Sequence, residues 1–151
     1  MMSFNNQVKI SHFKNEWHKT TINILLTNNW LIKELELRAN RKDITLQQFN
    51  VLRILRGQFP NPISNTLVKK RMINSTPDIS RLVERLVLKN LVVRAQNVAD
   101  KRIVDLMITE LGMKLLASLE EDMILGDILF QNITETEALQ LSQLLDKLRG
   151  E

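Results

Sequence analysis

Between Ser11 and Ala39 apolar positions recur at a spacing near 3.5 residues. Phe13, Trp17, Ile24, Leu31 and Leu35 form one line, with Thr20 or Thr21 and Asn28 filling the gaps. Neither Gly nor Pro occurs before Gly57, so this stretch predicts one long helix whose apolar seam wants a partner helix. In "RKDITLQQF" that helix ends and another starts, because Thr45 and Gln48 form a capping box ahead of Phe49, Leu52 and Leu55. The second helix should stop near Gly57 and Pro60. After "NPIS" a short segment from Asn65 to Met72 can turn Leu67 and Val68 to a core, and a tight turn must follow. The stretch "INSTPDISRLVERLVLKNLV" predicts the next helix, with Thr76 as N-cap and Pro77 at the first helical position, where its missing N–H costs nothing. Ile79, Leu82, Val83 and Leu86 fall at i, i+3, i+4 and i+7 and make a buried stripe, while Ser80, Arg81, Glu84 and Arg85 face elsewhere. Asn90 can close this helix in a left-handed conformation.

The pattern then changes period. "VVRAQNVADKRIVDLMIT" predicts two short strands joined by a turn with a basic tip. A two-stranded hairpin alone is marginal in water, so Val104, Leu106 and Ile108 should rest on the helices while "NVADKR" projects. Near the end, Thr134 and Glu137 make a second capping box. Ala138, Leu141, Leu145 and Leu148 follow as a seam that one monomer would struggle to cover. Short helix, tight turn, amphipathic helix and hairpin, in that order, describe a winged helix-turn-helix. The expected fold is mainly α, with a small β-hairpin wing between long N- and C-terminal helices.

Charge supports this division. Residues 1–40 carry a net +2, residues 41–110 a net +7 and residues 111–151 a net −5. A basic middle containing the hairpin fits a polyanion-binding module, although a solvated charged face would give the same balance. The 151 residues suffice for one core and an oligomer interface. No apolar run is long enough for a membrane span and the start "MMSFNNQVKI" does not resemble a signal peptide, so a cytoplasmic protein is expected. The absence of cysteine excludes disulfides, thiolate metal sites and thiol redox switching.

Enzymatic chemistry finds little footing. His12 and His18, the only histidines, are six positions apart and lie on different faces of a helix, so they cannot chelate a metal as an i, i+4 pair would. There is no Gly-rich phosphate loop and no nucleophile elbow, and "LEEDM" reads as a solvated helix face. No catalytic residue, metal site or cofactor is expected.

"DITLQQFNVLRIL", "DISRLVERLVLKNLVVR" and "DKRIVDLMITELGMKLL" together resemble the MarR family of bacterial transcriptional regulators over most of the chain. The wing carries the strongest likeness: an Asp-x-Arg pattern, Asp100 and Arg102, and then "ITELG", where the family usually starts a helix with Thr-x-x-Gly. Asn90 stands where the family often has Gly, and Pro77 and Asp78 where it often has small hydroxyl residues. The resemblance implies a single MarR-like domain, with dimerisation helices at about residues 8–40 and 111–151 around a DNA-binding region at about 43–110. It implies a homodimer on double-stranded DNA with an inverted-repeat operator, Asp100 bracing the wing and Arg102 entering the minor groove. Ser75, Thr76, Pro77, Ser80, Arg81, Arg85 and Lys101 are the other residues expected at DNA.

Simpler roles stand beside these. Arg81 and Arg85 can pair within the helix with Asp78 and Glu84, Lys101 and Arg102 can keep a sheet edge soluble, and "KKR" at 69–71 can be a solvated face or touch phosphate. The family also implies a small aromatic or apolar effector in a pocket between dimerisation helices and winged domain. Phe13, Trp17, Trp30 and several Met residues are candidates for its walls, or for core and seam. The function so expected is that of a dimeric, sequence-specific DNA-binding regulator, a repressor released by a ligand. The alternative is a winged-helix module that binds a protein or RNA partner.

Overall fold

The computed structural model describes residues 13–72, 78–97, 101 and 103–151. Helix α1 spans Glu16–Asn40, and the Asn15 side chain caps it by accepting the His18 N–H at 2.9 Å. Its expected seam is half covered by its own chain. Ile24, Leu31 and Leu35 are half-buried, Trp17 is exposed, and only Arg38 and Ala39 are buried. Helix α2, Leu46–Arg56, starts on the capping box read from the sequence: Thr45 Oγ1 accepts the Gln48 N–H at 3.2 Å and Gln48 Oε1 accepts the Thr45 N–H at 3.0 Å. It ends at Gly57, and its Val51, Leu52 and Leu55 lie at the centre of the core.

The short segment that follows adds something the sequence reading lacked. Ile63–Ser64 form strand β1 before helix α3, Asn65–Arg71, which Ser64 caps by accepting the Leu67 N–H at 3.3 Å. Strands β2, Val92–Gln96, and β3, Val104–Ile108, make the expected hairpin, but it is not alone. The sheet is three-stranded and antiparallel in the order β1–β3–β2, with Ile63 and Arg94 both opposite Leu106 and Val92 opposite Ile108. A two-residue strand is too short to show alternation, so no periodicity marks it. By pairing with β3 it removes one open edge and turns Ile63 into the core.

Helix α4, Ile79–Leu88, lies between α3 and β2 in the chain. Asn90 follows at φ 57°, the left-handed geometry expected of it. Helix α5, Glu110–Ala117, is capped by Thr109, whose Oγ1 accepts the Gly112 N–H at 3.0 Å and donates to the Asn90 carbonyl at 2.7 Å. Gly112 is required by packing: a Cβ there would lie 2.4 Å from the Leu91 carbonyl oxygen and 2.7 Å from Ile108 Cγ1. Leu116 and Leu119 complete the core with Leu86, Leu106 and Ile108.

Beyond the core, α6, Glu120–Ile124, and α7, Gly126–Asn132, meet at Leu125, which has φ 57°. Helix α8, Glu135–Arg149, carries the second capping box, with Thr134 N–H donating to Glu137 Oε2 at 2.8 Å and Glu137 N–H to Thr134 Oγ1 at 3.3 Å. None of its residues is buried, and Leu139, Leu141, Leu144 and Leu148 are exposed. Buried Arg38 joins α1 to this last part of the chain. It donates to both Asp127 carboxylate oxygens and to the Asp122 carbonyl, each at 2.8 Å. Among the described residues no helix is long and apolar enough to cross a membrane.

Gly112→Ala should lower stability by ~1–3 kcal/mol, since the contacts are backbone and core atoms with little room to yield; urea unfolding measures the loss. A second expectation concerns acid. The Arg38 hydrogen bonds are the largest cause holding the Asp127 carboxyl below its usual range. A depressed folded-state value gives stability that is present above the unfolded value, ~3.9, and lost as pH falls through the folded one. Wild type should therefore exceed Asp127→Asn in chemical unfolding at neutral pH, with the gap closing only below the usual carboxylate range.

Candidate nucleic-acid interface

Three elements carry exposed basic side chains, the end of α3, one face of α4 and the hairpin, and α4 packs against both α3 and β2. The α4 sequence has two faces by construction. Ile79, Val83 and Leu86 sink into the core and Leu82 packs half-buried beside them, which leaves Ser80, Arg81, Glu84 and Arg85 exposed. The helix starts later than the sequence reading placed it. Asp78, not Thr76, is the N-cap, and its carboxylate accepts the Arg81 N–H at 2.9 Å. Asp outranks Thr slightly as a cap, and a carboxylate also suits the positive end of the helix dipole. With Asp78 in this role, neither Arg81 nor Arg85 joins an ion pair among the described residues. That removes the intrahelical pairing considered above.

The far end of α4 is tied down differently. Lys89 Nζ donates to the carboxylate of Asp43 at 2.6 Å and also to its carbonyl. This lysine is therefore turned to the α1–α2 connection. At the end of α3, Lys69, Lys70 and Arg71 are all exposed, immediately ahead of the connection to α4. Ser75, Thr76 and Pro77 lie outside the described residues.

The neck of the hairpin is braced by side chains the sequence reading passed over. Asn97 Nδ2 donates to Asp105 Oδ2 at 2.7 Å, the Asn97 N–H reaches the Ile103 carbonyl at 3.0 Å, and Gln96 Nε2 donates to the Lys101 carbonyl at 2.7 Å. An aspartate within the apolar strand "VDLMI" was the available signal. Lys101 and Arg94 are exposed, so each presents a cation along the hairpin. Asp100 and Arg102 lie outside the described residues.

A cavity of about 640 Å³ opens on another side, between α1, α2 and α6. Leu31, Ile32, Leu35, Phe49, Met123 and Ile124 supply apolar walls, and the Arg56–Glu120 ion pair stands at it. Phe13, Trp17 and Trp30, the aromatic residues considered for such a site, do not line it. Phe13 packs edge-on to His18, with ring centroids 5.8 Å apart. "LEEDM" accordingly does more than face solvent, since Glu120 pairs with Arg56 and the Asp122 carbonyl accepts from Arg38. Among the described residues no group of His, Asp or Glu could hold a metal ion.

Residues 42–103, which run from the start of α2 to the foot of β3, match the family model described as MarR family. Over that stretch the winged helix is similar to the MarR family. The structure is similar to that of a MarR-like transcription regulator from Bacillus cereus, with a TM-score of 0.79 at 20% identity over 89% of this chain and 96% of that one. A cysteine-to-serine mutant of Escherichia coli MarR complexed with operator DNA is 28% identical, with a TM-score of 0.74 over 91% of this chain and 99% of that one. Staphylococcus aureus MepR in complex with DNA gives a TM-score of 0.71 at 20% identity, over 92% and 98% of the two chains. No curated protein matches. The chain thus carries the fold of MarR-family DNA-binding transcription regulators.

Asp78→Ala should cost ~1 kcal/mol through the lost cap and fray the first turn of α4. Amide exchange at Arg81 against that at Leu86 reads it: protection should fall at the first and hold at the second.

Proposed function

We propose that the protein is a dimeric, sequence-specific double-stranded DNA-binding transcriptional repressor of the bacterial cytoplasm, released from its operator by a small aromatic or apolar ligand. The observation that carries this reading is the exposed face of α4. Ser80, Arg81 and Arg85 stand on a helix anchored by its opposite stripe, and neither arginine is neutralised by a carboxylate of the described chain. A helix presenting such residues can enter the major groove, where Arg reads guanine and Ser reads either partner of a pair. Lys69, Lys70 and Arg71 are placed to meet phosphates, while the hairpin with Lys101 and Arg102 reaches the backbone or the minor groove. Ser75, Thr76 and Pro77, ahead of this helix in the chain, are assigned to DNA contact and Asp100 to bracing of the wing as part of the same proposal. The E. coli and S. aureus proteins of this fold are in complex with DNA, which supports DNA as the partner.

Dimerisation follows from the leucines that α8 leaves exposed and from the half-covered seam of α1. A two-fold dimer would set its recognition helices ~34–36 Å apart, one turn of DNA, matching an inverted repeat. The cavity is within the ~300–1,000 Å³ range of ligand sites and its apolar walls suit the proposed effector.

Titration on the upstream intergenic region, on scrambled DNA and at two salt concentrations tests the reading. Wild type should prefer the intergenic DNA and lose affinity steeply with salt. Arg81→Ala should narrow the preference by ~1–3 kcal/mol, and Arg102→Ala should weaken both duplexes and lower the salt slope by about one unit. Deleting residues 134–151 should abolish tight palindrome binding although every proposed DNA-contacting residue remains. Equal binding of wild type to both duplexes would overturn operator recognition, and a full-length monomer bound tightly to one half-site would overturn the dimer.

A further inference from the structure

The corner between α6 and α7 is held by one distant side chain. Leu125 adopts a left-handed conformation that is strained for a residue with a side chain, and neither α6 nor α7 begins with a side-chain cap. Arg38, only 6% exposed in the last turn of α1, spans this corner. One guanidinium nitrogen reaches the carbonyl of Asp122 and one Asp127 oxygen, and the second nitrogen takes the other Asp127 oxygen, all at 2.8 Å. Beyond the corner, packing within the chain offers little restraint. Gly126 is the one buried residue of α7 and α8 has none. On the other side, Ala39 beside Arg38 is fully buried in the core.

We propose that Arg38 is a positioning residue for DNA binding: by pinning the α6–α7 corner to the end of α1, it fixes the angle between winged-helix core and arms and hence the separation of the two recognition helices. This rests on the dimeric reading above. A bidentate guanidinium with a third bond to a carbonyl is directional, whereas an ammonium at the same place supplies only a point charge. The leverage is large. Helix α8 has 15 residues, or ~22 Å of length, so a tilt of about 10° moves its far end by roughly 4 Å. That exceeds the ~3.4 Å rise of one base pair. The same hydrogen bonds raise the Arg38 pKa and lower that of Asp127, so both partners remain charged at neutral pH.

The chain has no cysteine, so Leu88→Cys gives a single spin-label site per chain, on the exposed end of α4 and outside the proposed DNA contacts. Distance measurement between the two labels of a dimer, with Arg38 intact, should give one narrow distribution. Adding Arg38→Lys should broaden it or move it by about 4 Å. The preference for a palindrome over the same half-sites with one inserted base pair should fall from about tenfold towards parity. Asp127→Asn, a change at an exposed position that keeps a hydrogen-bond acceptor for Arg38, should do the same more weakly. It carries the test if the lysine variant fails to fold. A role confined to stability would lower the melting temperature of dimeric variants while leaving label distance and spacing preference at wild-type values, and that result would overturn the proposal. A monomer in light scattering, with no distance between labels, would remove the dimeric reading itself and the positioning role with it.

Discussion

The candidate interface depends on the burial of one stripe, Ile79, Val83 and Leu86, against the core formed by α2, β3 and α5. A ten-residue helix is too short to persist in water by propensity alone, so packing holds α4 in place. Each surrounding element contributes to that site. The capping box of α2 sets Leu52 and Leu55, β1 and β3 bring Ile63 and Leu106, and Gly112 lets α5 approach closely enough to close the base. The exposed face of α4 owes its orientation to its hidden one.

Electrostatics divides the molecule along a different line. The acidic C-terminal third engages cations within the chain: Asp127 holds Arg38 and Glu120 holds Arg56. Lys89, at the end of α4, is held in turn by Asp43. Among the described cations outside these ion pairs are Lys69, Lys70 and Arg71 at the end of α3, Arg81 and Arg85 on α4, and Arg94 and Lys101 on the hairpin. The net charge of +4 thus understates the local surplus there.

The parts of the fold legible in the sequence were those set by local rules. Both capping boxes, the apolar stripe of α4, the left-handed Asn90 and the Thr109 helix start each follow from residues within one or two turns of one another. What escaped was long-range or too short. Arg38 meets partners 84 and 89 positions away, beyond any periodicity, and would read as an ordinary polar helix residue. Strand β1 has two residues, and the corner at Leu125 has a leucine where a glycine would have marked it. At the start of α4, Thr76 and Asp78 both carry capping side chains, and local pattern could not choose between them. The candidate site was legible where a face of α4 defined it, while the Asn97–Asp105 brace of the hairpin required the paired strands to bring together residues eight apart.

The separation of the two faces of α4 has an evolutionary consequence. Ser80, Arg81, Glu84 and Arg85 are exposed, and no side-chain hydrogen bond or ion pair among the described residues depends on them. Exchanges at such positions usually change stability by no more than ~0.5 kcal/mol. These four positions can therefore drift together through many combinations without the chain leaving its folded state, so whatever this face contacts can change by substitutions that folding never notices.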